Sequence, residues 1–298
     1  MLQVLALASL SHVHRVAHPR FDVAKPSAAQ LVWLDLEVGG NFNYGIGLPN
    51  APWAPNVSNC YGGLPAPPAA RFNSTPDFAQ WTSALQDMGA RYSVLSASGG
   101  CGYALWPSRA RFPDGVAYNY SVAQSPLLTS KDILKDYVEH MRAAGIGTGV
   151  YFQLVYDYWG GFLHGKMAPN GPTAPKLSAE QYFGVVIEQL GEIWNASDYG
   201  NHTELWFDGG MEGWSASATA KVSAMMAALQ PNAMAFQGPT ATAPIRWIGN
   251  ENGHAAAPNF IASDSSMANG PGHLNGTLIC TRIPAVNSVS HPALVVNP

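Results

Sequence analysis

Short apolar runs rich in β-branched and aromatic residues alternate along this chain with longer segments whose apolar residues recur every three or four positions. Few folds accommodate that alternation. RYSVLSAS (91–98) and GTGVYFQL (147–154) read as buried strands, and so do ELWF (204–207), AMAFQ (233–237) and IRWIG (245–249). PDFAQWTSALQDMG (76–89), KDILKDYVEHMRAAG (131–145) and AEQYFGVVIEQLGEIW (179–194) carry helical spacing, and the first two end on a glycine suited to the turn after a helix. Strand and helix in alternation point to a parallel sheet covered by helices. The expected class is therefore α/β, of the (β/α)8 barrel type. About six barrel strands can be counted where closure takes eight, so the barrel is expected to be incomplete at its C-terminus. A doubly wound sheet is the alternative. It would be announced by a glycine-rich phosphate loop, and the nearest candidate, SGGCGYALW (98–106), runs into Trp-Pro instead of a helix start.

Composition narrows the function classes. Charged residues make up only 11% of the 298, against roughly 25% in an average globular protein. With a net charge of -4 and no basic cluster, the electrostatic footprint of a nucleic-acid binder is missing. No apolar run approaches the roughly 20 residues of a membrane span. The three cysteines, Cys60, Cys101 and Cys280, show no metal-ligand spacing, and one disulfide with one free thiol is allowed without a choice of pair. Asn-X-Ser/Thr triplets begin at Asn56, Asn73, Asn119, Asn195, Asn201 and Asn275, and six of them in one chain favour a glycosylated protein of the secretory route, secreted or held in a lysosomal or vacuolar lumen. MLQVLALASLS has the apolar core of a signal segment without its basic start. The expected organisation is an N-terminal segment over 1–20, a catalytic (β/α) barrel over 21–270 and a divergent tail over 271–298. The Pro- and Gly-rich stretch 47–70 is expected to be a functional loop beside a site.

In ELWFDGG (204–210) an aspartate follows three apolar residues and precedes two glycines. An isolated carboxylate is costly to bury, so Asp208 is a paired structural group, a turn former or a working group at the mouth of a pocket. In a barrel, chemistry gathers at the C-terminal ends of the strands, and Asp208 falls there. The loops after GVYFQL and RWIG open on the same face and bring Tyr156, Asp157 and Glu251 into reach. Two carboxylates on one face suit glycoside hydrolysis, one attacking the anomeric carbon while the other protonates the leaving oxygen and then activates water. Glu212, in GGMEGW, is a rival for the second role. Trp53, Trp106, Trp159, Trp206, Trp214 and Trp247 lie in or beside these loops, where flat faces could stack on sugar rings, although core packing is the plainer reading of any single one. His12, His14 and His18 are close in sequence but lack a carboxylate partner, and no G-x-S-x-G elbow is present. Neither a metal nor a cofactor is expected.

These motifs, in this order, resemble glycoside hydrolase family 29, the α-L-fucosidases, over roughly residues 26–265. PSAAQLVWLDLEVGGNFNYGI is similar to that family's opening strand region, and GARYSVLSASGGCGYALWPS to its Gly-Ala-Lys-Tyr segment with paired histidines. DILKDYVEHMRAAGIGTGVYFQL is similar to the following helix and strand, ELWFDGG to the strand bearing the nucleophile, and IRWIGNENG to a segment bearing the acid/base of one subgroup. The resemblance implies Asp208 as nucleophile and Glu251 as acid/base of a retaining hydrolysis. It implies Trp206 and Tyr151 in the sugar pocket, with Asn43, Trp106 and Arg246 as further substrate-binding candidates. The implied partners are fucosylated oligosaccharides or glycoprotein glycans. The departures are specific. The family's paired histidines fall on Gly99 and Gly100, the aspartate after them on Cys101, and its early histidine on Asn43. After residue 270 the sequence leaves the family pattern. Three outcomes follow: a retaining exo-glycosidase of fucosidase type with an altered sugar preference, a carbohydrate-binding relative with weakened or lost catalysis, or a fragment of a larger enzyme.

Overall fold

A computed structural model describes residues 26–47, 60, 66–168, 177–239 and 244–245. Helix starts are set by short polar residues. Ser27 opens α1 (Ala28–Leu34) with a reciprocal cap: its hydroxyl accepts from the Gln30 amide while the Gln30 side chain accepts from the Ser27 N–H. Asp77 caps α2 (Phe78–Asp87), Asp132 caps α3 (Ile133–Ala143), Ser178 caps α4 (Ala179–Ile193), Asn195 caps α5 (Ala196–Tyr199) and Ser215 caps α6 (Ala216–Leu229). Three of these are the expected helices, with ends shifted by one or two residues. ASATAKVSAMMAAL, which forms α6, is rich in alanine and shows no clear apolar stripe, so periodicity alone does not reveal it.

Six strands form one wholly parallel sheet in the order β1 (Gly39–Phe42), β2 (Tyr92–Ser98), β3 (Gly147–Gln153), β7 (Glu204–Asp208), β8 (Met234–Phe236), β9 (Pro244–Ile245). Every neighbour in the sheet is also the next parallel strand in the chain. A doubly wound sheet reverses direction part-way, whereas single-direction winding with right-handed crossovers keeps all helices on one face and curls the sheet towards a barrel. The winding is that of a (β/α)8-type fold. Between β3 and α4 lies a small antiparallel meander of β4 (Tyr156–Asp157), β5 (Phe162–Leu163) and β6 (Lys166–Met167).

Strand alternation divides the apolar residues into two cores. Outward residues meet the helices: Phe42 stacks on Trp81 of α2 at 4.1 Å, and the Tyr137 hydroxyl of α3 donates to the Ser93 carbonyl at 2.6 Å. Inward residues form a separate cluster of Met234, Phe236 and Ile245 with Trp206, and Ala29, Trp33 and Leu34 of α1 pack against it. Thus α1 closes the N-terminal end of the barrel interior. There the Trp33 indole donates to Glu204 at 3.2 Å, and the Tyr92 hydroxyl bonds the same carboxyl group. Glu204 is fully buried, and desolvation pushes its pKa up to about 7 against the pull of those two hydrogen bonds.

One cysteine pair is resolved. Cys60 and Cys101 form a disulfide with Cα atoms 5.1 Å apart, fastening the proline-rich 47–70 stretch to the loop after β2. No described helix is long and apolar enough to cross a membrane. The segments 1–20 and 271–298, the three N-terminal histidines, Trp53 and Trp247 lie outside the described residues.

Candidate active site

Register places the site. Ser96, Tyr151, Trp206, Phe236 and Ile245 pair in succession across β2, β3, β7, β8 and β9, forming one inward layer. Asn43, the residue after β1, stands level with Ser96 because Phe42 pairs with Leu95, and the Ser96 hydroxyl donates to Asn43 Oδ1 at 3.5 Å. Three candidates named from sequence, Asn43, Tyr151 and Trp206, therefore share this layer. The next inward layer, at the C-terminal ends of the strands, pairs Gln153 with Asp208.

Asp208 is half-buried and engaged through one oxygen. Its Oδ2 accepts from the Tyr151 hydroxyl at 2.6 Å and from Gln153 Nε2 at 2.9 Å. Charge-assisted bonds of this kind are roughly twice as strong as neutral ones. No other hydrogen bond reaches Oδ1 among the described residues. Gly209 and Gly210 follow with φ of 76° and 63°, and a Cβ on Gly209 would overlap the Val155 side chain. The Asp-Gly-Gly pattern thus lets the chain turn back sharply beneath the carboxylate. Beside it, Tyr151 and Trp206 lie with ring centroids 6.0 Å apart, and Trp206 packs on Phe236 at 4.4 Å.

Tyr156 and Glu212 flank the open side. The Tyr156 pKa is raised by its own desolvation and then by the charges of Glu212 and Asp208. Its hydroxyl meets His164 Nδ1 at 2.5 Å. Glu212 is exposed, in the turn that packs on Gly165.

Two sequence expectations are corrected. Asp157 does not reach the open face. It is fully buried, accepting from the hydroxyls of Tyr118 at 3.2 Å and Tyr182 at 3.3 Å and from the Gly160 N–H at 2.7 Å. Desolvation pushes its pKa up to about 6. Its role is to brace the loop after β2: the neighbouring Tyr158 and Trp159 N–H groups donate to the carbonyls of Gly100 and Cys101, and any Cβ on Gly102 would overlap its carboxylate. Trp106 also leaves the sugar-facing group. It is 1% exposed, packs towards the outward-pointing Phe152 and donates its indole N–H to Glu192 at 2.7 Å, satisfying a polar atom that burial would otherwise strand. Trp214 stacks on Phe183 and Trp159 on Tyr120, as core packing predicts.

Gly99 follows a register irregularity between Ser96 and Ser98, and among the described residues a Cβ there would meet nothing within 4 Å. Where the resemblance places a side chain, the described residues leave space. Glu251 and Arg246 lie outside the described residues. Gln153 was not anticipated from sequence. Its signal was available, because it shares the inward phase of β3 with Tyr151.

A family model described as Alpha-L-fucosidase matches residues 68–252, more than half of the chain. A rice protein (Oryza sativa subsp. japonica), provisionally named alpha-L-fucosidase 1, is 30% identical over 241 residues, covering 77% of this chain and 39% of its own length. Alpha-L-fucosidase 1 of Arabidopsis thaliana is 24% identical over 269 residues, covering 85% and 45% respectively. A crystal structure from Bacteroides thetaiotaomicron, provisionally described as an alpha-L-fucosidase, superposes with a TM-score of 0.65 at 27% identity, covering 82% of this chain and 48% of that one. The chain spans less than half the length of these relatives. The match extends over β2, β3, β7 and β8 and the layers that hold Tyr151, Gln153 and Asp208, and on it the chain belongs to the alpha-L-fucosidase family, glycoside hydrolase family 29.

Proposed function

We propose that this chain acts as a retaining glycoside hydrolase that releases terminal α-L-fucose, or a closely related sugar, from oligosaccharides or glycoprotein glycans. The observation that carries the reading is the setting of Asp208. It stands at the C-terminal end of an inward-facing strand position, with one oxygen held by Tyr151 and Gln153 and the other unencumbered among the described residues. In the proposed mechanism Asp208 attacks the anomeric carbon and forms a glycosyl ester while Glu251 protonates the leaving oxygen. Glu251 then deprotonates a water that hydrolyses the ester, which restores both groups. Trp206 and Tyr151 supply aromatic faces for the sugar, and Asn43 and Arg246 supply polar contacts.

The test is turnover of 4-nitrophenyl α-L-fucoside by the full chain. Release of 4-nitrophenol that is abolished by Asp208→Ala supports the reading, and trapping with a fluorinated fucosyl donor should label Asp208. Label on Glu212 would sink the assignment.

A second reading, a sugar-binding relative with weak or lost catalysis, draws support from Gly99, where the described residues offer no side chain to a sugar. A pocket that lacks polar partners for sugar hydroxyls loses selectivity by orders of magnitude. Measurable fucose binding without turnover of any aryl glycoside would favour it.

We also propose passage through the secretory route. Support comes from the Cys60–Cys101 disulfide, which oxidising compartments favour, and from Asn73, Asn119 and Asn201, sequon asparagines that are themselves exposed. Mass analysis of glycosidase-treated protein from a eukaryotic host tests it, with unmodified asparagines at all three positions as the adverse result.

A further inference from the structure

We infer that Gln153 is a positioning residue that, together with Tyr151, fixes Asp208 Oδ2 so that Oδ1 is the oxygen that attacks the sugar. The inference rests on the proposed hydrolytic role of Asp208 and specifies how that carboxylate is aimed.

Three observations carry it. First, Gln153 and Asp208 are direct partners in the parallel pairing of β3 and β7, so both side chains project inward from the same layer. Second, the amide cannot be turned round without loss. Gln153 Oε1 accepts from the Val155 N–H at 3.1 Å, while Nε2 lies 2.9 Å from Asp208 Oδ2 and 3.2 Å from the Tyr151 hydroxyl. Flipping the group would set oxygen against carboxylate and N–H against N–H, so the network assigns the orientation. Third, the donors converge. The Tyr151 hydroxyl donates to Asp208 Oδ2 at 2.6 Å, and one N–H of Gln153 Nε2 points into the same corner, 2.9 Å from that oxygen and 3.2 Å from the Tyr151 hydroxyl. Both donors to the carboxylate therefore meet on the same oxygen.

A carboxylate held by both donors at Oδ2 cannot swing about its χ2 without breaking two bonds. It therefore presents Oδ1 in one direction. A glutamine is suited to this task because its amide donates hydrogen bonds without itself titrating. Gln153 is 2% exposed and level with the nucleophile, so it acts through Asp208.

The test compares wild type, Gln153→Ala and Gln153→Glu in the full chain. With an aryl fucoside bearing a good leaving group, Gln153→Ala should lower kcat about 10- to 100-fold while changing KM less than about threefold, since misaiming a reacting atom by about 1 Å has effects of that size. Gln153→Glu keeps the shape but sets a second carboxyl against the first. The acidic limb of its kcat/KM profile should move to higher pH, because two carboxyls in contact resist joint ionisation. A wild-type kcat in Gln153→Ala, or an unmoved acidic limb in a folded Gln153→Glu, overturns the inference. If wild type turns over no aryl glycoside, the hydrolase reading fails, and the aiming role is then read by crystallography alone. An Asp208 carboxylate rotated away from its present orientation in Gln153→Ala supports the clamp, and an unchanged one overturns it.

Discussion

Strand β7 carries two carboxylates on its inward face, Glu204 at its start and Asp208 at its end, four positions apart. They occupy opposite ends of the barrel interior. Glu204 is 3% exposed and sealed beneath α1, with the Trp33 indole and the Tyr92 hydroxyl as its partners. Asp208 is half-buried, touches a phenol and an amide, and keeps one oxygen out of that network. Both therefore have two donors, and donor count does not separate them. Access does: a carboxyl shut away from water favours its neutral form and serves packing, while one at the strand's C-terminal end can meet a ligand.

The sharpest way to break this contrast is to neutralise each group in turn. Asp208→Asn should reduce turnover of 4-nitrophenyl α-L-fucoside by more than about 1,000-fold, the scale seen when a covalent nucleophile is lost. Glu204→Gln should leave kcat within about twofold of wild type. Equal losses in the two variants would mean that the ends of the strand are not functionally distinct.

The next effect concerns stability. A carboxyl whose folded pKa lies above its unfolded value binds its proton more tightly in the native state, so it stabilises at low pH and that contribution is lost as pH rises through the folded value. For Glu204 the loss runs from about 4.5 to about 7, and for Asp157 from about 3.8 to about 6. His202 opposes them. Burial lowers its pKa from 6.5 to about 4, so its contribution grows as pH rises across that interval. Above pH 6.5 only Glu204 is still changing among the three. Denaturant titrations should therefore show wild type losing stability relative to Glu204→Gln as pH rises from 5 to 8, by on the order of a few kcal/mol. Parallel stability curves for the two proteins would remove Glu204 from the account.

How much of this was legible in the sequence follows from the same physics. The α/β class, four strands and three helices could be read because the strands are short, largely buried runs rich in β-branched and aromatic residues and the helices carry clear stripes and caps. Of a fifth expected strand, IRWIG, only Ile245 lies among the described residues. The family resemblance could be read from ELWFDGG and its neighbours. The helix α6 was missed because alanine and serine blur its apolar face, and α1 because its role is to plug the barrel rather than to cover the sheet. Asp157 was misread as a pocket residue. One position separates it from Tyr156, and in a short antiparallel strand that step turns the side chain from the open side into the core. Gln153 was overlooked although it stands two residues beyond Tyr151 on the same face. Its importance lies in a cross-strand pairing with Asp208, which no local pattern reports.

At the site, Tyr151→Phe removes one of the two donors to Asp208 while preserving the aromatic contact with Trp206. A lost hydrogen bond to a charged group amounts to about 1.5–3 kcal/mol, or roughly 10- to 150-fold in kcat. The effect should fall mainly on kcat in pre-steady-state formation of the glycosyl-enzyme. A change confined to KM would make Tyr151 a sugar contact and leave the aiming of Asp208 to Gln153.

The smallest effect belongs to the sealed end. Trp33→Phe keeps a ring against Tyr92, 6.1 Å away between centroids, but deletes the indole N–H that reaches Glu204. The expected cost is about 1 kcal/mol, and its pH dependence carries the information. That N–H favours the charged form of Glu204, so its removal pushes the Glu204 pKa further up. The variant should therefore be closer to wild type at pH 5, where the carboxyl is neutral in both, and further below it at pH 8. A Tm deficit of the same size at both pH values would show that Trp33 contributes by packing alone and that the buried carboxyl does not depend on its hydrogen.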